Sequence, residues 1–214
     1  MARILCLHGL GGTAATMTPM VDALVAAGHD AFSLTLPGHD AEPEALHAVG
    51  WAEWLAAALV ETVDVVVGQS MGGSLALAVA ARGGCRGVVA INVPAPDPDA
   101  LDGLEWQRSR GLEWVDGPPL ADGEVGYTRL PVVALLQMVE GSLATDLAAV
   151  TVPVLLVTSA LDEVVDPFSA ELVASSLGGP VERVTLHGSG HVATLGPERD
   201  LLTAVIARFV AGLP

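Results

Sequence analysis

The chain has 214 residues, of which 51% are hydrophobic and only 4% aromatic, so alanine, valine and leucine must build the core of what we expect to be one domain. Its formal net charge of −16 repels phosphate backbones and anionic lipid surfaces, which argues against a nucleic-acid partner. No uninterrupted apolar run approaches the ~18 residues that a membrane-spanning helix needs, and we expect no stable membrane insertion.

The first residues indicate the compartment. A single basic side chain, Arg3, precedes four apolar residues and a histidine-glycine pair, which is too short for the apolar region of a secretory signal. We therefore expect a cytoplasmic protein. The two cysteines, Cys6 and Cys85, lie in apolar surroundings and are predicted to be small buried hydrophobes rather than a disulfide. The sequence does not assign an oligomeric state.

Strand and helix patterns alternate along most of the chain. Strands that are apolar throughout and alternate with helices indicate an α/β fold, with a mostly parallel central sheet covered by helices on both faces. The predicted strands cover residues 3–7, 31–36, 63–67, 86–92, 152–159 and 181–186, and the predicted helices residues 17–27, 51–60, 74–82, 167–177 and 198–210.

The alternation is interrupted after Pro94. Prolines and acidic residues dominate the next stretch, and the chain becomes apolar again only at residues 130–139. We predict a single domain over residues 1–214, with residues 95–150 inserted in it as a small cap that carries one or two helices.

The central feature of the sequence is Gly68-x-Ser70-x-Gly72, which follows a valine-rich strand and precedes a helix of small residues. This is the nucleophile-elbow pattern, in which a strained turn raises the serine hydroxyl above the sheet while the glycines let strand and helix approach. The turn also begins a helix, whose free N–H groups favour a developing negative charge. We predict that Ser70 is a nucleophile, against the alternative of a glycine-serine turn without chemistry.

A serine nucleophile needs a base within hydrogen-bond reach and an acid that orients the base. With this elbow, the acid and then the histidine are expected after later strands. Asp166 directly precedes Pro167 and is explained as a helix N-cap, with the proline at the first helical position. Asp162 lies nearer the strand end and has no such structural explanation, and Glu163 is interpreted as a solvated loop charge. We predict that Asp162 is the acid.

Two histidines compete for the position of the base. His187 lies at the end of strand 181–186, whereas His191 lies in a glycine-rich loop that can fold back towards the serine. A single histidine is usually structural, and we give that interpretation to His187, His29 and His47. We predict that His191 is the base.

The loop after the first strand should complete the site. Acyl transfer passes through an oxyanion, which needs fixed donors at ~3 Å, and the predicted donors are the backbone N–H groups of Leu10 and Met71. The same loop also fits the dinucleotide fingerprint as Gly9-x-Gly11-x-x-Ala14. However, the second strand ends at Leu36-Pro37-Gly38, without the acidic residue that would bind a ribose. No cluster shows metal-ligand spacing, so we expect neither a metal nor a cofactor.

Together these stretches resemble the α/β-hydrolase superfamily over the whole chain, and within it the bacterial carboxylesterase and monoacylglycerol-lipase group. The resemblance implies an α/β-hydrolase fold with Ser70, Asp162 and His191 as the catalytic triad and with Leu10 and Met71 as oxyanion donors. The region between Asn92 and Val152 is acidic and proline-rich, and it matches the pattern of the group only loosely. The matching stretches are His8-Gly9-Leu10-Gly11-Gly12, Leu36-Pro37-Gly38-His39, Gly68 to Gly73, Asp162 to Val165 and, as the narrowest match, Ser189 to Leu195.

The sequence therefore predicts a serine hydrolase that cleaves small-molecule carboxylic esters of short to medium acyl chains through an acyl-enzyme. Leu130, Val133, Leu136 and Met138 are candidate acyl-pocket residues, although the core of a cap helix explains them equally well. Three alternatives stay open: a thioesterase, carbon–carbon hydrolysis by the same triad, and a ligand-binding relative without turnover. The acidic surface favours neutral or cationic substrates.

Overall fold

The computed structural model describes residues 1–117, 119–120 and 123–214, and within them the chain folds into an α/β domain. The strands are β1 (Arg3–Leu7), β2 (Asp30–Ser33), β3 (Val65–Gln69), β4 (Gly87–Ile91), β5 (Trp114–Asp116), β6 (Arg129–Pro131), β7 (Val154–Ser159) and β8 (Val181–Leu186). The α-helices are α1 (Thr18–Ala26), α2 (Trp51–Ala58), α3 (Met71–Ala80), α4 (Pro98–Ser109), α5 (Val132–Leu143), α6 (Ser169–Ser176) and α7 (Arg199–Ala211).

Six of these strands form one parallel sheet in the order β2-β1-β3-β4-β7-β8. The strand order reverses between β1 and β3, because β2 lies on one side of β1 and the later strands of this sheet lie on the other side. Parallel α/β sheets bind ligands outside the carboxyl ends of their strands at such a switch point. The turn that contains Ser70 follows β3 at this point.

Two hydrophobic layers cover the faces of the sheet. In β1, Leu5 and Leu7 belong to one layer, whereas Ile4 and Cys6 belong to the other, and all four are fully buried. This period-two alternation with both faces buried explains why the strand is apolar throughout. Helices α2, α3 and α6 contribute to the first layer, and α1 and α7 contribute to the second. The predicted α/β arrangement with a parallel sheet and helices on both faces is confirmed.

The last strand, β8, lies at one edge of the sheet and carries charged side chains. Glu182 and Arg183 of β8 are exposed and form ion pairs with Arg208 and Glu171 respectively. Charged side chains on an edge strand disfavour pairing with another chain. The exposed ion pairs themselves contribute little to stability.

The second strand is shorter than its pattern predicts. β2 ends at Ser33 instead of Leu36, because the N–H of Leu36 leaves the ladder and donates to Nε2 of His8 at 3.0 Å. Residues 34–37 thereby turn away from the sheet towards the loop that follows β1.

Both cysteines are buried and free. Burial raises the pKa of the Cys6 thiol to about 12 and that of the Cys85 thiol to about 11. Both side chains therefore stay protonated at neutral pH and pack as small apolar groups, as predicted.

The segment between β4 and β7 contains α4, the antiparallel β5–β6 pair and α5. The carboxylate of Asp97 caps α4 by accepting the N–H of Asp99 at 2.9 Å. The hydroxyl of Tyr127 attaches the segment to the domain by donating to the carbonyls of Gly38 (3.0 Å) and Ala41 (2.7 Å). In the described part of the chain, no helix has both the length and the apolar character needed to cross a bilayer.

Candidate active site

Ser70 occupies a strained turn between β3 and α3. Its φ of 54° and ψ of −122° lie in a region that non-glycine residues rarely adopt. The backbone holds this conformation from both sides: the N–H of Ser70 donates to the carbonyl of Ile91 at 2.8 Å, and its carbonyl accepts the N–H of Gly73 at 2.8 Å. The sharp turn lifts the side chain above the carboxyl end of the sheet, as a nucleophile elbow requires.

The glycines of the turn allow the backbone to approach closely. A Cβ at Gly68 would overlap the backbone of Gly72, and a Cβ at Gly72 would overlap the carbonyl oxygen of Leu7. On the other side of the serine, a Cβ at Gly9 would lie 3.2 Å from Cβ of Ser70 and 3.7 Å from its Oγ. The loop after β1 is therefore packed directly against the serine.

His191 and Asp162 form a hydrogen-bonded pair. Nδ1 of His191 lies 2.9 Å from Oδ2 and 3.0 Å from Oδ1 of Asp162, whose side chain is only 1% exposed. Oδ1 also accepts the backbone N–H groups of Val164 at 2.9 Å and Val165 at 3.0 Å. With Nδ1–H donating to the carboxylate, Nε2 of His191 is the ring nitrogen that can accept a proton.

The surroundings of Asp162 keep it ionised. Burial raises the pKa of its carboxyl, but the hydrogen bonds from His191, Val165 and Val164 outweigh burial and hold the pKa below its usual value. A carboxylate at Asp162 favours the Nδ1–H tautomer of His191 and stabilises the imidazolium once it forms.

Neither competing acid is hydrogen-bonded to His191 in the described part of the chain, although Glu163 lies on the wall of the cavity that contains Ser70. The carboxylate of Asp166 accepts the N–H of Phe168 at 2.9 Å, and its carbonyl accepts the N–H of Ser169 at 2.8 Å. These short-range bonds close a tight turn, so α6 begins at Ser169, two residues after the predicted first position at Pro167. Asp166 therefore caps the turn before the helix, and Glu163 is exposed.

The competing histidines also lie away from the pair. His187 is exposed, and its backbone N–H donates to Glu198 at 3.2 Å. His29 accepts the N–H of Ala2 at 3.3 Å, and Nδ1 of His47 lies 3.1 Å from the carbonyl of Glu44.

A cavity of about 460 Å³ brings the predicted residues together. Ser70, His191 and Leu10 line it, and Met71 lies beside the serine as the first residue of α3, where its N–H has no partner within the helix. A neighbouring cavity of about 520 Å³ contains none of these residues among its described lining, so the candidate site belongs to the cavity that Ser70 lines.

The four candidate acyl-pocket residues fall into two groups. Leu130 and Met138 line the cavity that contains Ser70. Leu136 is buried, with 4% of its surface exposed, and neither it nor Val133 is among the described residues of the lining. Leu135, which the sequence analysis did not single out, lines the cavity instead.

Asn92 holds the histidine loop and was missed in the sequence. It follows β4 with a φ of 48°, and its amide nitrogen donates to the carbonyl of His191 at 2.7 Å and to Oγ of Ser159 at 2.9 Å. The same nitrogen lies 3.3 Å from the carbonyl of Gly190, and the amide oxygen accepts the N–H of Ser159 at 2.7 Å. The only signal in the sequence is an asparagine, which tolerates positive φ, at the end of a buried strand.

Two further contacts fix the same loop. Oε1 of Gln69, the residue before the nucleophile, accepts the hydroxyl of Thr194 at 3.1 Å. The carboxylate of Glu198 accepts the N–H of Gly188 at 2.7 Å and the hydroxyl of Ser189 at 2.8 Å. Gln69 and Thr194 belong to two of the five stretches that carry the family resemblance, yet sequence alone did not pair them.

The loop after β1 is held from two sides. Below it, the buried ring of His8 donates from Nδ1 to the carbonyl of Gly9 at 2.8 Å and accepts the N–H of Leu36 at Nε2. Burial lowers the pKa of His8 to about 4, so the ring is neutral at pH 7. Above it, the N–H of Tyr127 donates to the carbonyl of Gly11 at 2.8 Å, next to a bridge between Gly12 and Gly126.

The loop does not have the arrangement that a dinucleotide needs. The fingerprint places the pyrophosphate at the N-terminus of a helix that begins within the glycine loop. Here a short 3₁₀ turn, Ala14–Met17, comes first and α1 begins at Thr18, while residues of the insertion bridge to the loop. Among residues 1–117, 119–120 and 123–214, no three histidine, cysteine or carboxylate side chains are grouped so that they could hold a metal ion.

Comparisons with known proteins agree with this geometry. The sequence model of a protein family described as the alpha/beta hydrolase family matches residues 4–204. A thermostable monoacylglycerol lipase of Bacillus sp. (strain H-257) is 28% identical over 226 residues, which cover 97% of this chain and 90% of the relative.

Solved structures have the same fold. One comes from a study of LipS and LipT, two metagenome-derived lipolytic enzymes. It has a TM-score of 0.86 and is 26% identical in sequence, and the match covers 99% of this chain and 96% of the chain in that structure. The monoacylglycerol lipase of Paleococcus ferrophilus has a TM-score of 0.71 at 16% identity, over 96% of this chain and 92% of its own. The expected fold class is confirmed.

Proposed function

Because this chain belongs to the alpha/beta hydrolase family, we propose that it hydrolyses small-molecule carboxylic esters of short to medium acyl chains through Ser70, His191 and Asp162. One observation carries the proposal: the histidine of the hydrogen-bonded, partly buried Asp162–His191 pair lines the same cavity as the elbow serine. A base oriented by an acid beside a strained serine is the arrangement that activates a weak hydroxyl nucleophile.

The first half of the reaction forms an acyl-enzyme. Oγ of Ser70 attacks the ester carbonyl while Nε2 of His191 takes its proton, and Asp162 stabilises the imidazolium. The oxyanion binds to the backbone N–H groups of Leu10 and Met71, and such a donor typically contributes ~3–4 kcal/mol to transition-state stabilisation. Support for these donors comes from the position of Met71 at the start of α3 and of Leu10 on the cavity wall.

His191 then gives its proton to the leaving alcohol, and the departure of the alcohol completes the acyl-enzyme. In the second half His191 takes a proton from a water molecule that attacks the acyl carbonyl. It returns this proton to Oγ of Ser70 as the bond between Oγ and the acyl group breaks and the acid leaves. No cofactor enters this sequence of steps.

An apolar wall supports an acyl group as the part of the substrate held in the cavity. Leu130, Leu135 and Met138 lie on the side formed by β6 and α5. The names of the similar proteins, a monoacylglycerol lipase and lipolytic enzymes, point to the same class of neutral substrate. In this proposal residues 95–150 act as a cap over the single domain and supply the acyl site.

Hydrolysis of p-nitrophenyl esters from acetate to laurate, by wild type and Ser70→Ala in parallel, tests the proposal. Wild type should turn these esters over with a defined length preference, and Ser70→Ala should lose at least about 10⁴-fold in kcat. Full activity in Ser70→Ala would show that Ser70 is not the nucleophile. If the wild-type protein hydrolysed none of these esters, carboxylic esters would be ruled out as its substrates, and acyl thioesters would be measured next.

A further inference from the structure

The cavity of about 520 Å³ beside the catalytic cavity has no assigned role. We name it the distal groove and define it by its described lining: residues 94–97 after β4, Ala100 of α4, residues 138, 139 and 142 of α5, and residues 164–166, 168, 169 and 172 before and in α6. Its volume lies in the range of small-molecule sites.

Two side chains separate the distal groove from the catalytic cavity. Met138 and Val164 line both, so they form the wall between them. Met138 is half-buried and Val164 is 48% exposed. A methionine has three rotatable bonds and adapts easily to a ligand, so this wall can open by a change of rotamer without moving the backbone.

The lining of the distal groove suits an alkyl chain. Ala100, Val139 and Leu172 present apolar surface, and the ring of Phe168, which is 60% exposed, extends it. The described lining contains no basic residue. Its carboxylates face backbone donors: Asp97 accepts the N–H of Asp99, and Asp166 accepts that of Phe168. An anionic ligand would find only negative charge there.

The position of His191 decides which end of an ester points into the groove. The leaving alcohol must lie beside His191 to take its proton. Residues 190–192 and 195–197 of the histidine loop line the catalytic cavity, and none of them is among the described residues that line the distal groove. The acyl chain is the part of the ester that extends away from the histidine, towards α5 and the wall formed by Met138 and Val164.

We propose that the distal groove binds the distal methylenes of acyl chains that are too long for the catalytic cavity alone, with Met138 and Val164 as the passage between the two. This inference rests on the proposed ester hydrolysis. It extends the substrate class from short and medium chains to long-chain esters of neutral alcohols.

Two variants that fill the groove from opposite walls test the proposal. Ala100→Phe adds bulk from α4, and Leu172→Trp adds bulk from α6. Asp102→Phe is the matched control, since it places the same ring on an exposed position of α4 that does not line the groove. Melting temperatures of all three, compared with wild type, show that each is folded.

The measurement uses two ester series. In the first the acyl chain of p-nitrophenyl esters grows from butyrate to palmitate, and in the second the alkyl group of acetate esters grows from ethyl to dodecyl. A buried methylene contributes up to about fourfold to binding, so a groove that loses several methylene contacts should lower the ratio of long-chain to butyrate kcat/KM by about tenfold or more. Butyrate hydrolysis should change by less than about twofold, because short chains end before the wall.

The outcomes separate the groove from the proposed function. A tenfold fall of the acyl-length ratio in Ala100→Phe and Leu172→Trp, but not in Asp102→Phe, supports the proposal. A change of the length profile that is confined to the alkyl acetates overturns the proposal, because the groove would then bind the alkyl chain of the leaving alcohol. If wild type hydrolyses butyrate and every variant keeps the wild-type length profile, the groove assignment alone fails. If wild type hydrolyses no ester, the proposed function fails and the groove assignment fails with it.

Discussion

The Asn92→Asp substitution tests whether His191, the proposed base, is positioned through its backbone. Aspartate has the size of asparagine and tolerates the φ of 48° at this position, so the change removes the amide donors and adds a buried carboxyl while it keeps the shape of the side chain. The bond from Ser159 N–H to the side-chain oxygen persists, and the hydroxyl of Ser159 can rotate to donate. The carbonyls of His191 and Gly190 lose their donor and face an oxygen instead.

The magnitude follows from burial. Asn92 is 2% exposed, so each carbonyl left without a donor costs about 1–3 kcal/mol, and the variant should lose on the order of 3 kcal/mol in all. For a chain of this size that lowers Tm by on the order of 10 °C. A shift of about 1 Å in His191 costs about 100-fold in kcat, whereas KM for a short ester should hardly change, because Asn92 does not touch the cavity.

The loss of folding stability in Asn92→Asp should increase as the pH rises. Burial should raise the pKa of the new carboxyl above its unfolded value of about 3.9. Below that value the acid is protonated in both states and can donate to the carbonyl of His191. As the pH rises, the unfolded chain ionises first and the folded state is penalised, so the stability deficit of Asn92→Asp should grow from about pH 4 towards about pH 8.

Thermal melts and ester kinetics of wild type, Asn92→Asp and Ser159→Ala between about pH 5 and about pH 8 make the comparison. Ser159→Ala removes one acceptor of the amide but leaves the bond to His191 intact, so kcat should fall far less than in Asn92→Asp. Wild-type kcat and Tm in Asn92→Asp across this range would refute the reasoning.

Two further predictions concern the loop after β1 and the acyl wall. His8 has a pKa of about 4 in the folded chain against a usual 6.5, so the unfolded chain binds the proton first and stability should fall by on the order of 3 kcal/mol as the pH drops from 6.5 to 4. His8→Gln should flatten that part of the stability curve measured by denaturant melts, and an unchanged slope would show that another group titrates. Leu135→Trp should shorten the acyl chain that is accepted without lowering Tm much, because Leu135 lines the cavity. Leu136→Trp should instead overpack a buried position, at a cost of about 1–3 kcal/mol in stability. Equal chain-length profiles in the two variants would contradict this division.

Local chemistry made much of the fold readable from the sequence. Residues 4–7 of β1 and 65–67 of β3 are all apolar because both faces of the sheet are buried, and that pattern together with intervening helices leaves a covered parallel sheet as the natural arrangement. The nucleophile elbow could also be predicted from the sequence, since only glycine permits the close backbone contacts at positions 68 and 72. Motif order then predicted that Asp162 and His191 belong with Ser70, and the structure places that aspartate and histidine in one hydrogen-bonded pair.

The partners of the histidine loop could not be predicted in this way, because they depend on contacts between distant parts of the chain. Asn92 and His191 are separated by 99 positions, and Gln69 and Thr194 by 125. Nothing in either local sequence specifies that these side chains meet, since the sheet order places the ends of the strands together only after folding.

The cavity wall shows the same division between sequence and tertiary structure. Helical periodicity identifies α5 as apolar, but adjacent residues on a helix point about 100° apart, so periodicity without a known neighbour cannot say that Leu135 faces the cavity and Leu136 the interior. The sequence by itself determined the layered architecture and the candidate triad, because turn chemistry and burial are local. Only the tertiary structure decided which side chains hold the histidine loop and which apolar residues meet a ligand, because packing between distant segments sets both.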